Sequence, residues 1–232
     1  MKSPVVIVTG AGRGIGRAIC ECFVREGATV VAAARSRDQL LETQQRVAAL
    51  PGRCIVRATD VTAVEQLRGL IEFTEREFSR IDILVNNVGA TSVGPVKELS
   101  TIDFETLLRV NVAAVFYACK FVWPIMERNG GGVIVNISSL AAADPFPGLG
   151  TYGATKAWVN AFTAGMAAEG RPAGIRAFCV GPGAVETDML RSIFPDFPAE
   201  NTLAPPDIAE AVHTLTQPSM SHASGQTFYI RK

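Results

Sequence analysis

Near its start the chain reads Val5-Val6-Ile7-Val8-Thr9-Gly10-Ala11-Gly12-Arg13-Gly14-Ile15-Gly16, so a short β-branched run leads directly into a glycine-rich turn. A segment of helical period follows this turn and extends to Glu26. Glycine lets a backbone turn tightly and approach a pyrophosphate, whose charge the N-terminus of the following helix stabilises. The sequence here predicts a strand, a phosphate-binding turn and a helix, the first unit of a dinucleotide-binding sheet. A strand–helix corner with no ligand is the alternative that the turn alone leaves open.

Beyond this unit, short β-branched runs alternate with longer segments of helical period. The predicted strands are residues 5–8, 29–34, 54–58, 81–85, 133–137, 176–180 and 227–230. The predicted helices are residues 15–26, 37–50, 64–78, 104–128, 152–169 and 206–216. Because the strands are apolar throughout, they indicate a parallel sheet covered on both faces. The pattern predicts an α/β fold, a Rossmann-type doubly wound parallel sheet of about seven strands flanked by helices, in a single domain over residues 1–232.

Composition excludes several classes of protein. Hydrophobic residues make up 48% of the 232 residues and charged residues 19%, which excludes a disordered chain or a fibrous repeat. The 22 basic and 22 acidic residues balance, so the basic surplus of a nucleic-acid-binding protein is missing. We expect no membrane span, because Lys120 interrupts the apolar run from Val112 to Cys119, and no secretion signal. The five scattered cysteines indicate reduced thiols, and His213 and His222 do not form a zinc site, so we expect a soluble cytoplasmic protein without a metal.

The end of the second predicted strand bears on which dinucleotide could bind. An acidic residue usually stands there and holds the ribose 2′-hydroxyl of NAD. Here the chain reads Ala34-Arg35-Ser36-Arg37, without a carboxylate. The planar donor fork of Arg35 suits a 2′-phosphate, and Arg13 in the glycine turn is placed to join it. These residues predict NADP(H) as the cofactor, unless both arginines are simply solvated.

Three further residues have the chemistry of an acid–base site. Tyr152 and Lys156 are four apart in a helical segment and therefore share one helix face. A nearby ammonium stabilises a phenolate, so we expect Lys156 to lower the pKa of Tyr152 from its ordinary value of ~10. Ser139 ends the fifth predicted strand and could hold a substrate oxygen. Ser138 is the alternative, and only one of the two can reach the site, because adjacent strand residues point to opposite faces.

Together these motifs resemble the short-chain dehydrogenase/reductase family from Val5 to about Ile230. The glycine turn fits the family's T-G-x-x-x-G-x-G pattern, and Asn86-Asn87-Val88-Gly89 is similar to its N-N-A-G. The segment from Pro182 to Thr187 resembles its P-G-x-x-x-T. Asn111, Ser139 and the Tyr-x-x-x-Lys pair follow the family's order and spacing. Asp60 matches a residue that touches the adenine, although it could also cap the helix predicted at 64–78.

The resemblance implies a role for each of these residues. Catalysis would rest on Asn111, Ser139, Tyr152 and Lys156. The cofactor would be bound by Gly10, Gly12, Arg13, Gly14, Ile15, Gly16, Arg35, Asp60, Val61, Asn87, Gly89, Tyr152, Lys156, Pro182, Gly183, Val185 and Thr187. The implied activity is NADP(H)-dependent interconversion of an alcohol and a ketone or aldehyde, with a 3-oxoacyl reductase-like branch left open. Tyr152 would be the acid/base, Ser139 would hold the carbonyl, and Asn111 would support a proton relay.

Two other functions compete with this interpretation. A catalytically silent, NADP-binding regulatory protein would be expected to have lost Tyr152 or Lys156, and this chain has both. A sugar-nucleotide epimerase or dehydratase would need a larger C-terminal domain than the short stretch after Thr187. The loops expected at the pocket are residues 91–96, 140–150 and 189–203, and their apolar side chains favour an apolar or aromatic carbonyl substrate, with packing within the chain as the alternative. Apolar residues on more than one face of the helices predicted at 104–128 and 152–169 indicate a homodimer or homotetramer.

Overall fold

The computed structural model describes residues 3–232 and contains one seven-stranded sheet. Its strands are β1 (Val5–Thr9), β2 (Thr29–Ala34), β3 (Arg53–Ala58), β4 (Ile83–Asn86), β5 (Gly132–Ile137), β6 (Ile175–Pro182) and β7 (Thr227–Ile230). They lie in the order β3-β2-β1-β4-β5-β6-β7, and each neighbouring pair is parallel. The predicted doubly wound parallel sheet is confirmed.

Helices cover both faces of this sheet. They are α1 (Gly14–Arg25), α2 (Arg37–Arg46), α3 (Val64–Phe78), α4 (Thr101–Leu107), α5 (Ala114–Arg128), α6 (Gly150–Gly170), α7 (Asp188–Ile193) and α8 (Pro205–Thr216). Alternate strand residues face opposite layers, so Val6 and Val8 pack with α1 and α8, whereas Ile7 packs with α3, α5 and α6. The predicted end of α2 near residue 50 is wrong, because this helix ends at Arg46, and the sequence analysis missed α7 altogether.

The edge strand β3 departs from the expectation that every strand is covered on both faces. Its six residues are exposed or half-buried, in contrast to the five fully buried residues of β1. Having a neighbouring strand on one side only, β3 also carries charged side chains. One of them, Arg57, lies with its guanidinium 4.2 Å from the centre of the Phe73 ring of α3. The apolar residues of β3 made its sequence look like that of a buried strand, although its position at the edge of the sheet leaves it accessible to water.

Residues Thr101–Arg128 form one continuous helical segment of 28 residues, made of α4, a π-helical turn (Leu108–Ala113) and α5. By length and mean hydropathy, 1.3 over its most apolar window, this segment could cross a membrane, contrary to our expectation for the sequence. A helix that covers a protein core passes the same test. Ala118, Cys119 and Val122 of α5 are buried in the core between the helices and the sheet.

The strand order reverses between β1 and β4, which places a crevice at their carboxyl ends. Connections from β1 and from β4 lead to opposite faces of the sheet, so the loops after these strands diverge. In open α/β sheets, ligands bind at such a switch point. The glycine turn follows β1, and the segment from Asn86 to Gly89 follows β4.

Candidate active site

The glycine turn has the backbone geometry that its sequence predicts. Gly10 and Gly14 have φ values of 68° and 53°, in the left-handed region that favours glycine. A Cβ at Gly16 would lie 2.2 Å from the Gly10 carbonyl oxygen, so α1 packs directly against the turn. The N-cap residue of α1, Arg13, makes no side-chain cap hydrogen bond. The first N–H groups of α1 are therefore available for an anion.

The remaining glycine-turn residues pack behind this N-terminus. Gly12 is buried, and a Cβ there would lie 2.9 Å from the Cβ of Gln39 in α2. Ile15 is half-buried and packs against the core on the α1 side of the sheet. Gly12 is thus required by close packing against α2, and Ile15 anchors the first turn of α1.

Two residues that the sequence analysis missed hold the glycine turn in place. The Thr43 hydroxyl of α2 lies 3.0 Å from the Ala11 carbonyl oxygen, and Arg17 Nε donates to the Gly12 carbonyl oxygen at 3.1 Å. Arg17 also pairs with Glu42 at 2.8 Å. These bonds connect the turn to the helix after β2. No local sequence signal marks Thr43, because its partner lies 32 residues earlier.

The segment after β4 is bonded to the end of β1. Asn87 Nδ2 donates to the Thr9 carbonyl oxygen at 3.0 Å, and the backbone N–H groups of Asn87 and Val88 donate to Thr9 Oγ1 at 3.1 and 3.3 Å. A Cβ at Gly89 would lie 3.5 Å from Lys156 Nζ and 3.7 Å from Asn111 Oδ1. Gly89 therefore lies where the glycine turn meets the acid–base residues.

The two arginines of the predicted 2′-phosphate site are both exposed. Arg13 Nη1 lies 3.1 Å from Asp188 Oδ2, in an ion pair with the first residue of α7. Arg35 makes no ion pair within residues 3–232, although its charge contributes to a lowered pKa of Asp60. The main cause of that lowered pKa is the backbone N–H of Thr62, which donates to Asp60 Oδ1 at 2.9 Å.

The alternative role of Asp60 as a helix cap is wrong. The N-cap of α3 is Ala63, and the Asp60 carboxylate instead binds the backbone N–H and hydroxyl of Thr62 within its own turn. Val61 beside it is buried at 6% exposure. Asp60 therefore keeps its half-exposed carboxylate at the carboxyl end of β3, near Arg35.

The segment from Pro182 to Thr187 connects β6 with the glycine turn. Gly183 N–H donates to the Ile230 carbonyl oxygen at 2.8 Å, and Val185 forms a parallel bridge with Leu203. The Thr187 hydroxyl caps α7 by accepting from the Leu190 N–H at 3.3 Å. The Thr187 methyl group would lie 3.2 Å from a Cβ at Gly14. The structure thus brings Thr187 against the phosphate-binding turn.

Tyr152, Lys156 and Ser139 come together on the other side of the crevice. Lys156 is buried, and its Nζ donates to the Ile137 carbonyl oxygen at 2.8 Å. Burial lowers the pKa of Lys156 to about 8. Burial also raises the pKa of Tyr152 above its usual value, and a hydrogen bond with the Ser139 hydroxyl offsets part of that increase. Our expectation that Lys156 lowers the Tyr152 pKa is wrong for this structure, because Nζ lies 6.0 Å from the centre of the ring and burial dominates.

The choice between the two adjacent serines follows from their hydrogen bonds. Ser138 is buried and donates to the Lys156 carbonyl oxygen at 3.1 Å, so it binds the backbone of α6. Ser139 Oγ accepts from the Ala141 N–H at 3.1 Å and faces the Tyr152 phenol. Ser139 is therefore the serine beside the acid–base pair, in agreement with the sequence analysis.

Asn111 lies fully buried in the π-helical turn between α4 and α5. Its Oδ1 accepts from the Ala90 N–H at 2.8 Å, and its Nδ2 donates to the Ala90 carbonyl oxygen at 2.8 Å and to Thr155 Oγ1 at 3.0 Å. Asn111 thus connects the loop after β4 to α6. Single π-turns inside α-helices often occur at functional sites.

A buried polar network that the sequence analysis missed lies beneath α6. Asn86 donates to Asn136 Oδ1, and Asn136 donates to Thr163 Oγ1, both at 2.8 Å. The Cys179 thiol lies 3.1 Å from Thr163 Oγ1. Buried polar groups with satisfied hydrogen bonds define a single packing arrangement. This network therefore fixes α6, and with it Tyr152 and Lys156, on the sheet.

Comparisons with known proteins agree with this architecture. Residues 4–197 match the family described as short chain dehydrogenase. The 3-oxoacyl-[acyl-carrier-protein] reductase of Thermotoga maritima is 31% identical, covering 99% of this chain and 97% of that protein. The 7alpha-hydroxysteroid dehydrogenase of Escherichia coli K12 is 33% identical, covering 97% of this chain and 91% of that protein.

The fold likeness extends to a solved structure of a 7 alpha-hydroxysteroid dehydrogenase complexed with NADH and 7-oxo glycochenodeoxycholic acid. That structure has a TM-score of 0.92 and 31% sequence identity, covering 98% of this chain and 92% of that chain. The family match, the relatives and the fold all include the glycine turn and the Tyr152–Lys156 helix. This chain belongs to the short-chain dehydrogenase/reductase family of oxidoreductases.

Proposed function

We propose that the protein is an NADP(H)-dependent oxidoreductase that interconverts an alcohol and a ketone or aldehyde. The observation that carries this proposal is the cluster of buried Lys156 with half-buried Tyr152 and Ser139, which lies across the crevice from the glycine turn. Burying a lysine ammonium costs free energy, so a buried lysine beside a crevice is a candidate functional group. Lys156 keeps this position with a hydrogen bond to the Ile137 carbonyl oxygen.

The residues around the switch point fit a nicotinamide dinucleotide. The left-handed Gly10 and Gly14 and the uncapped N-terminus of α1 suit a pyrophosphate. Asp60 and Val61 would flank the adenine, Asn87 and Gly89 would line the cofactor between the glycine turn and Lys156, and the segment Pro182–Thr187 would flank the nicotinamide. When bound, the nicotinamide group supplies or accepts the hydride.

The protein residues supply orientation and a proton. Ser139 Oγ accepts from the Ala141 N–H, and its own hydroxyl hydrogen, which bonds the Tyr152 phenol in this structure, can be donated to a substrate carbonyl oxygen when a substrate is bound. The raised pKa of Tyr152 keeps its phenol protonated at neutral pH, ready to give a proton to the developing alkoxide. The reverse reaction needs the phenolate and should be favoured by high pH.

Lys156 and Asn111 would complete the proton path. One N–H of the Lys156 ammonium is used by Ile137, which leaves two donors for the cofactor ribose and for a relay. Asn111 holds the loop after β4 next to Nζ through its bonds with Ala90. We propose that this arrangement supports the return of a proton to Tyr152.

The preference for NADP(H) rests on Arg35 and Arg13. Two guanidinium groups can bind a 2′-phosphate through charge-assisted hydrogen bonds. β2 ends at Ala34, so no carboxylate is present there to accept from an NAD ribose or to repel the phosphate. The solved 7 alpha-hydroxysteroid dehydrogenase is complexed with NADH. Because a relative binds NADH, we base the proposed preference on Arg35 and Arg13 of this chain, and comparing the Kd values for NADPH and NADH tests it.

The substrate we propose is an apolar or aromatic carbonyl compound. Large apolar side chains are exposed on the three loops expected at the pocket: Val93, Val96, Phe146, Met189 and Phe194. Gly94 N–H donates to the Gly148 carbonyl oxygen at 3.0 Å, which joins the first two of these loops. Exposed apolar groups gathered near a site are typical of a surface that binds an apolar ligand. Two relatives are named as a 7alpha-hydroxysteroid dehydrogenase and a 3-oxoacyl-[acyl-carrier-protein] reductase.

We further propose that the protein is a cytoplasmic homodimer or homotetramer. Phe116 of α5 is exposed, and its ring centre lies 5.9 Å from that of Phe162 in α6. Trp158 stacks on Phe162 at 4.7 Å. This aromatic surface lies on the outer side of the two helices, where a second copy could bury it.

Replacing Tyr152 with phenylalanine tests the reaction. Tyr152→Phe removes the acid but keeps the ring, so NADPH binding should remain while turnover on a panel of ketones, aldehydes and 3-oxoacyl thioesters falls by roughly 10²–10⁴. Tyr229→Phe, the matched control, removes a hydroxyl that bonds Asn160 and should keep its activity. Equal activity of Tyr152→Phe and wild type would reject the mechanism. NADPH binding without turnover of any substrate would favour the silent regulatory protein.

A further inference from the structure

The segment 183–203, here called the lid, is held together by hydrogen bonds between its own residues. Its two ends are joined by hydrogen bonds of 2.9 Å, from Glu186 N–H to the Leu203 carbonyl oxygen and from Leu203 N–H to the Ala184 carbonyl oxygen. Between them, Arg191 donates to both carboxylate oxygens of Glu186, at 2.7 and 2.6 Å. Arg191 also donates to the Phe197 carbonyl oxygen at 2.6 Å. The position of α7 within the lid is therefore fixed by bonds inside the lid.

One charged contact joins this lid to the glycine turn. Asp188, the first residue of α7, pairs with Arg13 at 3.1 Å, and it is the single ion pair between the lid and the turn within residues 3–232. Thr187 beside it lies against Gly14. The contact is thus supported by packing on its inner side, while the two charged side chains remain 57% and 73% exposed.

Arg13 consequently has two possible anionic partners. Under the function proposed above, its guanidinium binds the 2′-phosphate of NADP(H). In the structure the same guanidinium is bound to the Asp188 carboxylate. A cofactor with a 2′-hydroxyl makes no demand on Arg13, so it can bind while the ion pair stays intact. A 2′-phosphate must displace Asp188 or share Arg13 with it, and it also meets the repulsion of the carboxylate.

We propose that Asp188 is a specificity-determining residue, which weakens the preference for NADP(H) over NAD(H) by competing with the 2′-phosphate for Arg13. This inference rests on the proposed cofactor. Arg35 has no ion-pair partner among the described residues and supplies the part of the preference that Asp188 does not affect. The lid contact thereby tunes cofactor choice from a residue 175 positions away from Arg13 in the sequence.

Exposed ion pairs have small free energies, so the expected effect is modest. Asp188→Asn keeps the size and polarity of the side chain but removes its charge. We expect it to tighten binding of a 2′-phosphorylated nucleotide about two- to five-fold. Binding of a nucleotide without that phosphate should not change. The effect should shrink at high ionic strength, because salt screens exposed charges.

Calorimetric titration of the full-length protein with two cofactor fragments tests this inference. Adenosine 2′,5′-bisphosphate carries the 2′-phosphate and adenosine 5′-monophosphate lacks it, and neither contains the nicotinamide, so turnover plays no part. Asp188→Asn should bind the bisphosphate two- to five-fold more tightly than wild type, with no change for the monophosphate. Glu200→Gln, which removes an exposed charge from the same lid, should bind both as wild type does. In an Arg13→Ala background, Asp188→Asn should have no effect.

Each other outcome has a separate meaning. If wild type prefers the bisphosphate and Asp188→Asn does not improve its binding, this inference is overturned and the proposed cofactor stands. Equal improvement for both fragments, or an effect that persists without Arg13, would also overturn it, because competition for Arg13 predicts neither. If wild type binds both fragments equally, the proposed preference for NADP(H) fails, and this inference fails with it.

Discussion

The burial of Lys156 leads to a prediction about how the stability of the protein depends on pH. Its folded-state pKa is about 8, against 10.5 for a lysine in water. Between these values the unfolded chain holds a proton on Lys156 that the folded protein has released. Stability rises with pH wherever the unfolded state binds more protons. Lys156 should therefore destabilise the protein below pH 8 and do so progressively less as the pH rises toward 10.5.

The size of the effect follows from the same two pKa values. Each pH unit within this window changes the free energy of unfolding by up to ~1.4 kcal/mol for one proton. Integrated from about pH 6.5 to about pH 9.5, wild type should gain about 2 kcal/mol from Lys156 alone. Lys156→Met removes the titrating group and so removes this gain. It also removes the hydrogen bond to the Ile137 carbonyl oxygen, but that loss shifts the free energy by a constant and leaves the pH slope unchanged.

Urea unfolding of both proteins, followed by tryptophan fluorescence across this pH range without added cofactor, measures the difference. Subtracting the two curves cancels the groups that they share. The buried Cys179 thiol has a pKa of about 11, and Tyr152 has a raised pKa, so both titrate mainly above the range. A wild-type curve that rises by about 2 kcal/mol relative to Lys156→Met supports the argument. Parallel curves would show that Lys156 keeps an ordinary pKa, and the account of its burial would be wrong.

Three further predictions concern the cofactor, the turn and the assembly. Arg35→Ser should raise the Kd for NADPH about ten-fold and leave that for NADH unchanged in fluorescence titrations, since one charge-assisted hydrogen bond is lost; equal effects on both would reject its role. Gly16→Ala should unfold the protein or abolish cofactor binding, because the added methyl group would lie 2.2 Å from the Gly10 carbonyl oxygen. Gly69→Ala is the control, since a Cβ there meets nothing within 4 Å, and it should raise the free energy of unfolding by about 1 kcal/mol in thermal melts. Light scattering should show at least a dimer at micromolar concentration and a monomer for Phe116→Glu; a monomeric wild type would refute the proposed interface.

The sequence predicted those parts of the fold that depend on local pattern. β2 and β7 have the predicted bounds, and so does α3. Their signals are strong because β-branched runs and helical periodicity reflect the burial of each residue along the element itself. The alternation of adjacent residues implied only that one of Ser138 and Ser139 could reach the site, and the resemblance to the family's Ser–Tyr spacing is what favoured Ser139. Local pattern was therefore sufficient to predict that the glycine turn and the acid–base residues lie at the same edge of the sheet.

Other features depend on partners far away in the sequence and could not be predicted. The π-helical turn around Asn111 is one of them, because the bonds from Asn111 to Ala90 and Thr155 span 21 and 44 residues. The network from Asn136 to Thr163 is another, since an asparagine within an apolar strand gives no sign of its partner. The direction of the Tyr152 pKa was predicted wrongly because burial, which only the packed structure defines, outweighs the proximity of Lys156.

The charged residues of this site show how far residue type alone can support a functional argument. Sequence identifies Arg13 as a cation in a phosphate-binding turn, yet its partner in the structure is Asp188, which the fold brings back from the lid. Lys156 is likewise a cation by type, yet burial lowers its pKa to about 8, so the pH at which it loses its charge depends on how the fold buries it. For both Arg13 and Lys156, the residue type determines which interactions the side chain can make. Elements distant in the sequence determine how strong those interactions are. Substitutions outside the conspicuous motifs, at Asp188 or in the network beneath α6, should therefore alter cofactor choice and proton transfer while leaving every motif residue in place.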